Sequence, residues 1–164
     1  MIKAIVCVDK NWCIGYDNDL LFNLPQDMEF FKNHTIDKTV LVGRKTLESF
    51  PGSKPLKNRS TICLCSEKNK RDDCYCVHNF GDAFRLVKEL SKTQDVWIIG
   101  GQSIYEKFID VCDIVWVTKV DAETNGDAFF PDLDERKNFM LTWESRPEVD
   151  SGYTIQFCEY MRIL

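Results

Sequence analysis

Four stretches, residues 2–8, 39–42, 96–99 and 114–120, are almost continuously apolar and short. A strand that is apolar on both sides must be covered on both faces, as in a parallel sheet flanked by helices. Residues 2–8 therefore read as a central strand. Residues 60–65 and 75–77 add two more strands, and residues 81–90 a helix with Phe84, Val87 and Leu90 turned inward. The last two strands, 139–145 and 153–161, alternate better and flank a turn-like stretch at 146–152, which predicts an antiparallel hairpin on one edge. The sum is an α/β fold: a three-layer sandwich with an about eight-stranded, mostly parallel sheet, an antiparallel C-terminal edge hairpin and about four helices. A chain of 164 residues is expected to form one domain, 1–164.

Residues 9–23 have no sustained period and mix Gly15 and Asn18 with exposed-looking Trp12, Tyr16, Leu20, Leu21 and Phe22. A long aromatic and aliphatic loop inside a compact domain is usually a functional lid. A helix follows, with Pro25 in its first turn, where a missing amide proton costs nothing. Leu24, Asp27, Met28 and Phe31 then share the core-facing stripe, so a carboxylate sits where a leucine is expected. Asp27 is either a first-turn acid serving the helix dipole or a charge kept for the donors of a ligand.

Two glycine turns invite an anion. Residues 39–42 end at Gly43, and Arg44, Lys45 and Thr46 open a short helix, 44–50, stopped by Pro51-Gly52. Outward amides and two cations suit a phosphate there. Cys65-Ser66 ends the next strand, and in open α/β sheets ligands collect beyond such carboxyl ends. Residues 96–99 lead into Gly100-Gly101-Gln102-Ser103-Ile104-Tyr105, where adjacent glycines let the backbone approach a pyrophosphate. The turn is not G-x-G-x-x-G, so the familiar dinucleotide fingerprint is absent.

A net charge of −5 argues against broad nucleic-acid binding. No apolar run is long enough to span a membrane. The chain enters a strand at once, so no secretory leader is expected and the cytoplasm is the expected compartment. Among eight cysteines, Cys63/Cys65 and Cys74/Cys76 form C-x-C pairs but no C-x-x-C. Buried free thiols are expected, and no metal.

Taken in order, these features resemble dihydrofolate reductase over nearly the whole chain. The resemblance rests on Ile14-Gly15, Asn23-Leu24-Pro25-x-Asp27, Phe31-Lys32, Gly43-Arg44-x-Thr46, Glu48-Ser49, Ile99-Gly100-Gly101, Tyr105 and Gly126-Asp127-x-x-Phe130-Pro131. It implies NADPH-dependent reduction of 7,8-dihydrofolate to 5,6,7,8-tetrahydrofolate, with hydride transfer to C6 and protonation at N5, by a monomer that also binds antifolate inhibitors. It makes Asp27 the acid that holds the amidine-like edge of the pteridine by paired charge-assisted hydrogen bonds. Thr118 would buttress that acid through water, and Leu20 and Phe22 of the lid would complete the catalytic set. Ile5, Cys7, Met28, Phe31, Phe50 and Ile99 would line the apolar slot with Asp27 and Thr118. Arg59 would grip the α-carboxylate of the glutamate tail, a task for a fork rather than a point charge. Gly43, Arg44, Lys45, Thr46, Cys65 and Ser66 would hold the NADPH phosphates. Ile14 and Gly15, with Gly100, Gly101, Gln102, Ser103 and Tyr105, would lie along the rest of the cofactor, and the Gly100–Gly101 bond would be cis.

The sequence departs from the family at four places. Phe22 stands where a Trp is usual and lacks the indole donor. Leu20-Leu21 replaces a Met or Leu followed by Pro, which implies a looser lid. Ser103 stands where an arginine often assists the cofactor phosphates, and Cys65 replaces a common Ser. Preference for NADPH then leans on Arg44, Lys45 and Ser66. Two further readings are a reductase of the riboflavin-synthesis type on the same fold and a non-catalytic nucleotide-binding module. Asp27 and Arg59 favour folate over the first, which has no glutamate tail to grip.

Overall fold

Along β1 (Ile2–Val8), Ala4, Val6 and Val8 point to one side of the sheet while Ile5 and Cys7 point to the other, and the chain packs a helical layer onto each face. The computed structural model describes residues 1–164. β2 (Cys13–Tyr16) and β3 (Asp19–Leu20) follow β1, then α1 (Pro25–Thr35), β4 (Thr39–Gly43), α2 (Arg44–Glu48), β5 (Ser60–Leu64), β6 (Tyr75–Val77) and α3 (Phe80–Leu90). The second half holds β7 (Val96–Ile98), α4 (Gln102–Phe108), β8 (Ile114–Val120), β9 (Ala128–Phe129), β10 (Phe139–Glu144), β11 (Glu148–Asp150) and β12 (Tyr153–Arg162).

The main sheet runs β10-β12-β8-β1-β7-β4-β5-β6. All pairs from β8 to β6 are parallel, whereas β12 is antiparallel to both β8 and β10. The expected mostly parallel sheet with an antiparallel C-terminal edge is therefore the observed fold, with α1 to α4 as its helices. One face carries Leu24 just ahead of α1, Phe30 and Phe31 of α1 and Leu47 of α2; the other carries α3 and Ile104, Tyr105 and Phe108 of α4. α3 begins one residue earlier than its apolar pattern suggests, because the Asn79 side chain accepts the Asp82 amide as an N-cap. No helix is long and apolar enough to cross a membrane. All eight cysteines are free thiols, five of them buried.

Four expectations need correction. The lid is not irregular throughout: β2 pairs with β3 and with β9 in a small second sheet. Trp12 is only 7% exposed, packed on Phe130 and Tyr160 with ring centroids 6.2 Å away in each case. Its positive φ of 61° turns the side chain out of any regular alternation and back into the core. Met28 is 55% exposed, and Phe30 takes the inward place, its ring stacked on Phe157 at 4.2 Å. Finally, part of the supposed turn at 146–152 is a strand, β11, paired with β12.

Candidate active site

Pro25 starts α1 behind Leu24, whose side chain is buried but offers no cap. The cap comes from elsewhere: Oδ2 of Asp150 accepts the Gln26 amide at 2.8 Å, and the Gln26 side chain donates to the Val149 carbonyl at 3.0 Å. This first turn presents Asp27 to β1 and β8. The Thr118 hydroxyl donates directly to Asp27 Oδ1 at 2.6 Å, without an intervening water. Burial pushes the Asp27 carboxyl above the ordinary carboxylate range. Hydrogen bonds from Thr118 and Cys7 pull it down, and the charge of Asp150 pushes it up again. Burial and the neighbouring Asp27 hold the Cys7 thiol well above its ordinary value, so it is a neutral donor.

The apolar residues expected around that acid fall into two packed clusters. Ile5 and Ile99 are buried with Phe31 and Phe50 packed against the same cluster, and Cys7 and Phe22 pack with Leu24 on the adjoining one. The Phe22 ring meets Tyr153 edge-on at 5.0 Å, while Leu20 on β3 is 69% exposed. Of the residues expected in the slot, Met28 alone stands out in solvent. At the outer end the Arg59 guanidinium lies over the Phe31 ring, 5.9 Å from its centroid, and donates to Thr35 Oγ1 and the Lys57 carbonyl. Ion pairs engage Arg44, Arg71, Arg85, Arg136 and Arg162, but neither Arg59 nor Arg146.

The two glycine turns sit side by side because β4 and β7 are adjacent strands. The Gly43 amide donates to the Gly100 carbonyl at 2.8 Å, and the Gly100–Gly101 peptide is cis. A Cβ on Gly101 would lie 2.8 Å from Thr46 Oγ1, so the backbone there is pressed onto the opposite turn. Arg44 is held by Glu48 at 3.0 Å and its charge reaches Cys65 at the end of β5. Ser66 is exposed beside it and accepts from Asn69 at 2.9 Å. Lys45 and Ser103 are exposed on the same rim. Two residues have supporting jobs: the Tyr105 hydroxyl donates to the Ile5 carbonyl at 2.7 Å, and Gln102 Oε1 accepts the Phe129 amide at 2.9 Å.

The lid carries Ile14 and Gly15 on β2. The Asp127 amide donates to the Gly15 carbonyl at 2.9 Å, the Asp17 amide to Asp127 Oδ2 at 3.1 Å, and the Asn18 side chain to the Lys45 carbonyl at 2.8 Å. Asp9, 2% exposed, ties the lid's root to the crossover by accepting from the amides of Asn11, Cys13 and Thr124 and from the Thr124 hydroxyl. Sequence reading missed Asp9, Asn18, Phe30 and Asp150. Asn18 alone left a trace, named beside Gly15 in the stretch at 9–23.

A half-buried acid beside apolar clusters, with paired glycine turns at the carboxyl ends of adjacent parallel strands, is the layout of an α/β enzyme that binds a nucleotide there. The profile of the family described as dihydrofolate reductase matches residues 1–162. The dihydrofolate reductase of Staphylococcus haemolyticus is 37% identical over 165 residues, 99% of this chain and 96% of that protein. That of Bacillus subtilis (strain 168) is 35% identical over 162 residues, 98% of this chain and 94% of that protein. The structure of dihydrofolate reductase from Enterococcus faecalis complexed with NADP(H) and RAB-propyl matches with a TM-score of 0.86 at 29% identity, covering 99% of this chain and 96% of that one. The chain belongs to the dihydrofolate reductase family, and its reaction is the reduction of dihydrofolate.

Proposed function

We propose that the slot around Asp27 holds the pteridine of 7,8-dihydrofolate and that the paired glycine turns hold NADPH. The observation that carries this is Asp27 itself: a carboxylate in an apolar slot, held on one oxygen by Thr118, with its remaining lone pairs available to a ligand's donors. Ile5, Phe31, Phe50 and Ile99 clamp a flat ring, and the fork of Arg59, already fixed by Thr35 and Lys57, takes the carboxylate of the glutamate tail. The cofactor fits the chain: the Gly43 and Gly100–Gly101 turns meet beyond the carboxyl ends of the adjacent parallel strands β4 and β7, and Arg44, Lys45, Thr46 and Ser66 lie at the first of them. When bound, NADPH supplies a hydride to C6. Asp27 orients the ring and raises the proton affinity of N5 by its charge, the lid excludes bulk water, and the proton arrives from water at N5.

In this reading the chain is a monomer acting as a single unit, 1–164, on small molecules in the cytoplasm, with Asp27, Thr118, Arg59 and both glycine turns in one site. Antifolates would enter through the same acid and slot. The deciding experiment follows NADPH oxidation with dihydrofolate, with a riboflavin-type pyrimidine, and without substrate. Rapid oxidation with dihydrofolate alone is expected, and Asp27→Asn should lower that turnover at neutral pH by about 10² to 10⁴. Full turnover by Asp27→Asn would remove the role given to this acid.

A further inference from the structure

Asp150 is 4% exposed, and it ends β11, paired with Tyr153 of β12, where an acid gains nothing from solvent. One of its oxygens holds the Gln26 amide at 2.8 Å and the other accepts from the Ser151 hydroxyl at 3.2 Å. Gln26 directly precedes Asp27 in the first turn of α1, so the second acid stands behind the first. We propose that Asp150 is a positioning residue of the reduction site: it caps, from another element, the turn that presents Asp27, and adds a second negative charge that favours a protonated pteridine in the slot. The proposal rests on the reading of Asp27 as the pteridine-facing acid.

The surroundings of Asp27 make this charge count. From β1 the slot receives Cys7, a neutral thiol; from β8 it receives Thr118, which is uncharged. Lys119, next along β8, faces the opposite side of the sheet, over Trp12 and Tyr160 and paired with Asp134. Along α1 itself Glu29 is exposed, and His34 is turned into the aromatic cluster of Trp97 and Trp116. Asp150 is thus the charged neighbour, and no cation offsets it. Burial and Asp150 both favour the proton on Asp27, and the same field acts on any basic nitrogen beside it.

The test separates charge from capping. Asp150→Asn keeps an acceptor for the Gln26 amide and removes the charge; Asp150→Ser does so with a smaller side chain and stands in if the first variant folds poorly. In the ligand-free protein, the titration of the Asp27 carboxyl followed by carbon NMR should move to lower pH in the variant. In single-turnover hydride transfer, the alkaline decline of the rate should move the same way, lowering the rate on that limb by a factor of about 3 to 10, as a partly screened neighbouring charge would. A merely structural role would lower thermal stability and leave both pH profiles in place, and that result overturns the proposal. A wild-type chain that bound dihydrofolate without reducing it would instead count against the proposed reaction, and the Asp27 titration would still decide the role of Asp150.

Discussion

At the scale of single residues, Asp27 occupies a position where an apolar side chain would be more stable. Its carboxyl is held above the ordinary range, so the folded chain binds that proton more tightly than the unfolded chain. Stability from this group therefore declines as pH rises from the unfolded value through the raised folded one, and the charge carries its full cost at neutral pH. Asp27→Asn keeps an acceptor for Thr118 and removes that cost. Its Tm at pH 7 should rise by about 2–4 °C, for a gain of about 1 kcal/mol, while the difference vanishes in acid. Arg44 gives the second test at this scale. Arg44→Ala should weaken NADPH by about 10- to 100-fold and NADH far less, since only the former carries the 2′-phosphate; equal losses measured by fluorescence titration would end that assignment. Asp27 was legible in the sequence because a charge interrupted an apolar stripe. Asp9 and Asp150 were not, because the distant partners that give them their roles, Thr124 and Gln26, lie 115 and 124 residues away and meet them only once the sheet has closed.

At the scale of elements, the lid is a small sheet standing on one glycine. A Cβ at Gly126 would lie 2.1 Å from Cys13 Sγ and 2.5 Å from the Gly15 carbonyl, and the carbonyl is backbone that cannot swing aside. Gly126→Ala should push the crossover away from β2 and break the bonds that Asp127 makes to Gly15 and Asp17. Turnover should fall by on the order of 10²-fold with little change in dihydrofolate affinity, and amide exchange at residues 15–17 should accelerate. The sequence marked 9–23 as a lid but hid its regularity, since β2, β3 and β9 are pieces of four, two and two residues, too short to show a period. By contrast, β1, β6 and β8 were found residue for residue, because a short, mostly apolar run has few other uses. Met28 and Phe30 were exchanged for a similar reason: neighbours on a helix differ by a rotation that only the packed partner, Phe157, decides.

Across the whole molecule, three carboxylates tie distant parts of the chain and sit below the ordinary range. Burial acts against the charge in each, but is outweighed: by Thr124, Cys13 and Asn11 at Asp9, by Lys3 and the N-terminus at Asp95, and by Tyr160 and Lys119 at Asp134. Depressed carboxyl values contribute stability that is fully present above the unfolded value of about 3.9 and is lost as pH falls through the lower folded values. Urea unfolding should therefore show a midpoint near its maximum at pH 7 and clearly reduced at pH 3, and Asp9→Asn should flatten that dependence. The general architecture was legible because buried parallel strands, glycine turns and an alternating final hairpin leave separate marks. The order in which the strands lie was not, since pairing such as β8 beside β1 joins segments about a hundred residues apart through side-chain fit alone.

The bond from the Gly43 amide to the Gly100 carbonyl has a consequence for how a dinucleotide is chosen. It rivets the two turns at a set spacing, so their ordering is settled when the chain folds and not when a ligand arrives. Half-molecules of a cofactor meet the same finished surface as the whole. Selection among dinucleotides thus becomes a matter of gauge, decided by which groups fall on the right side of a fixed gap, and not of how far a loop can travel to meet them.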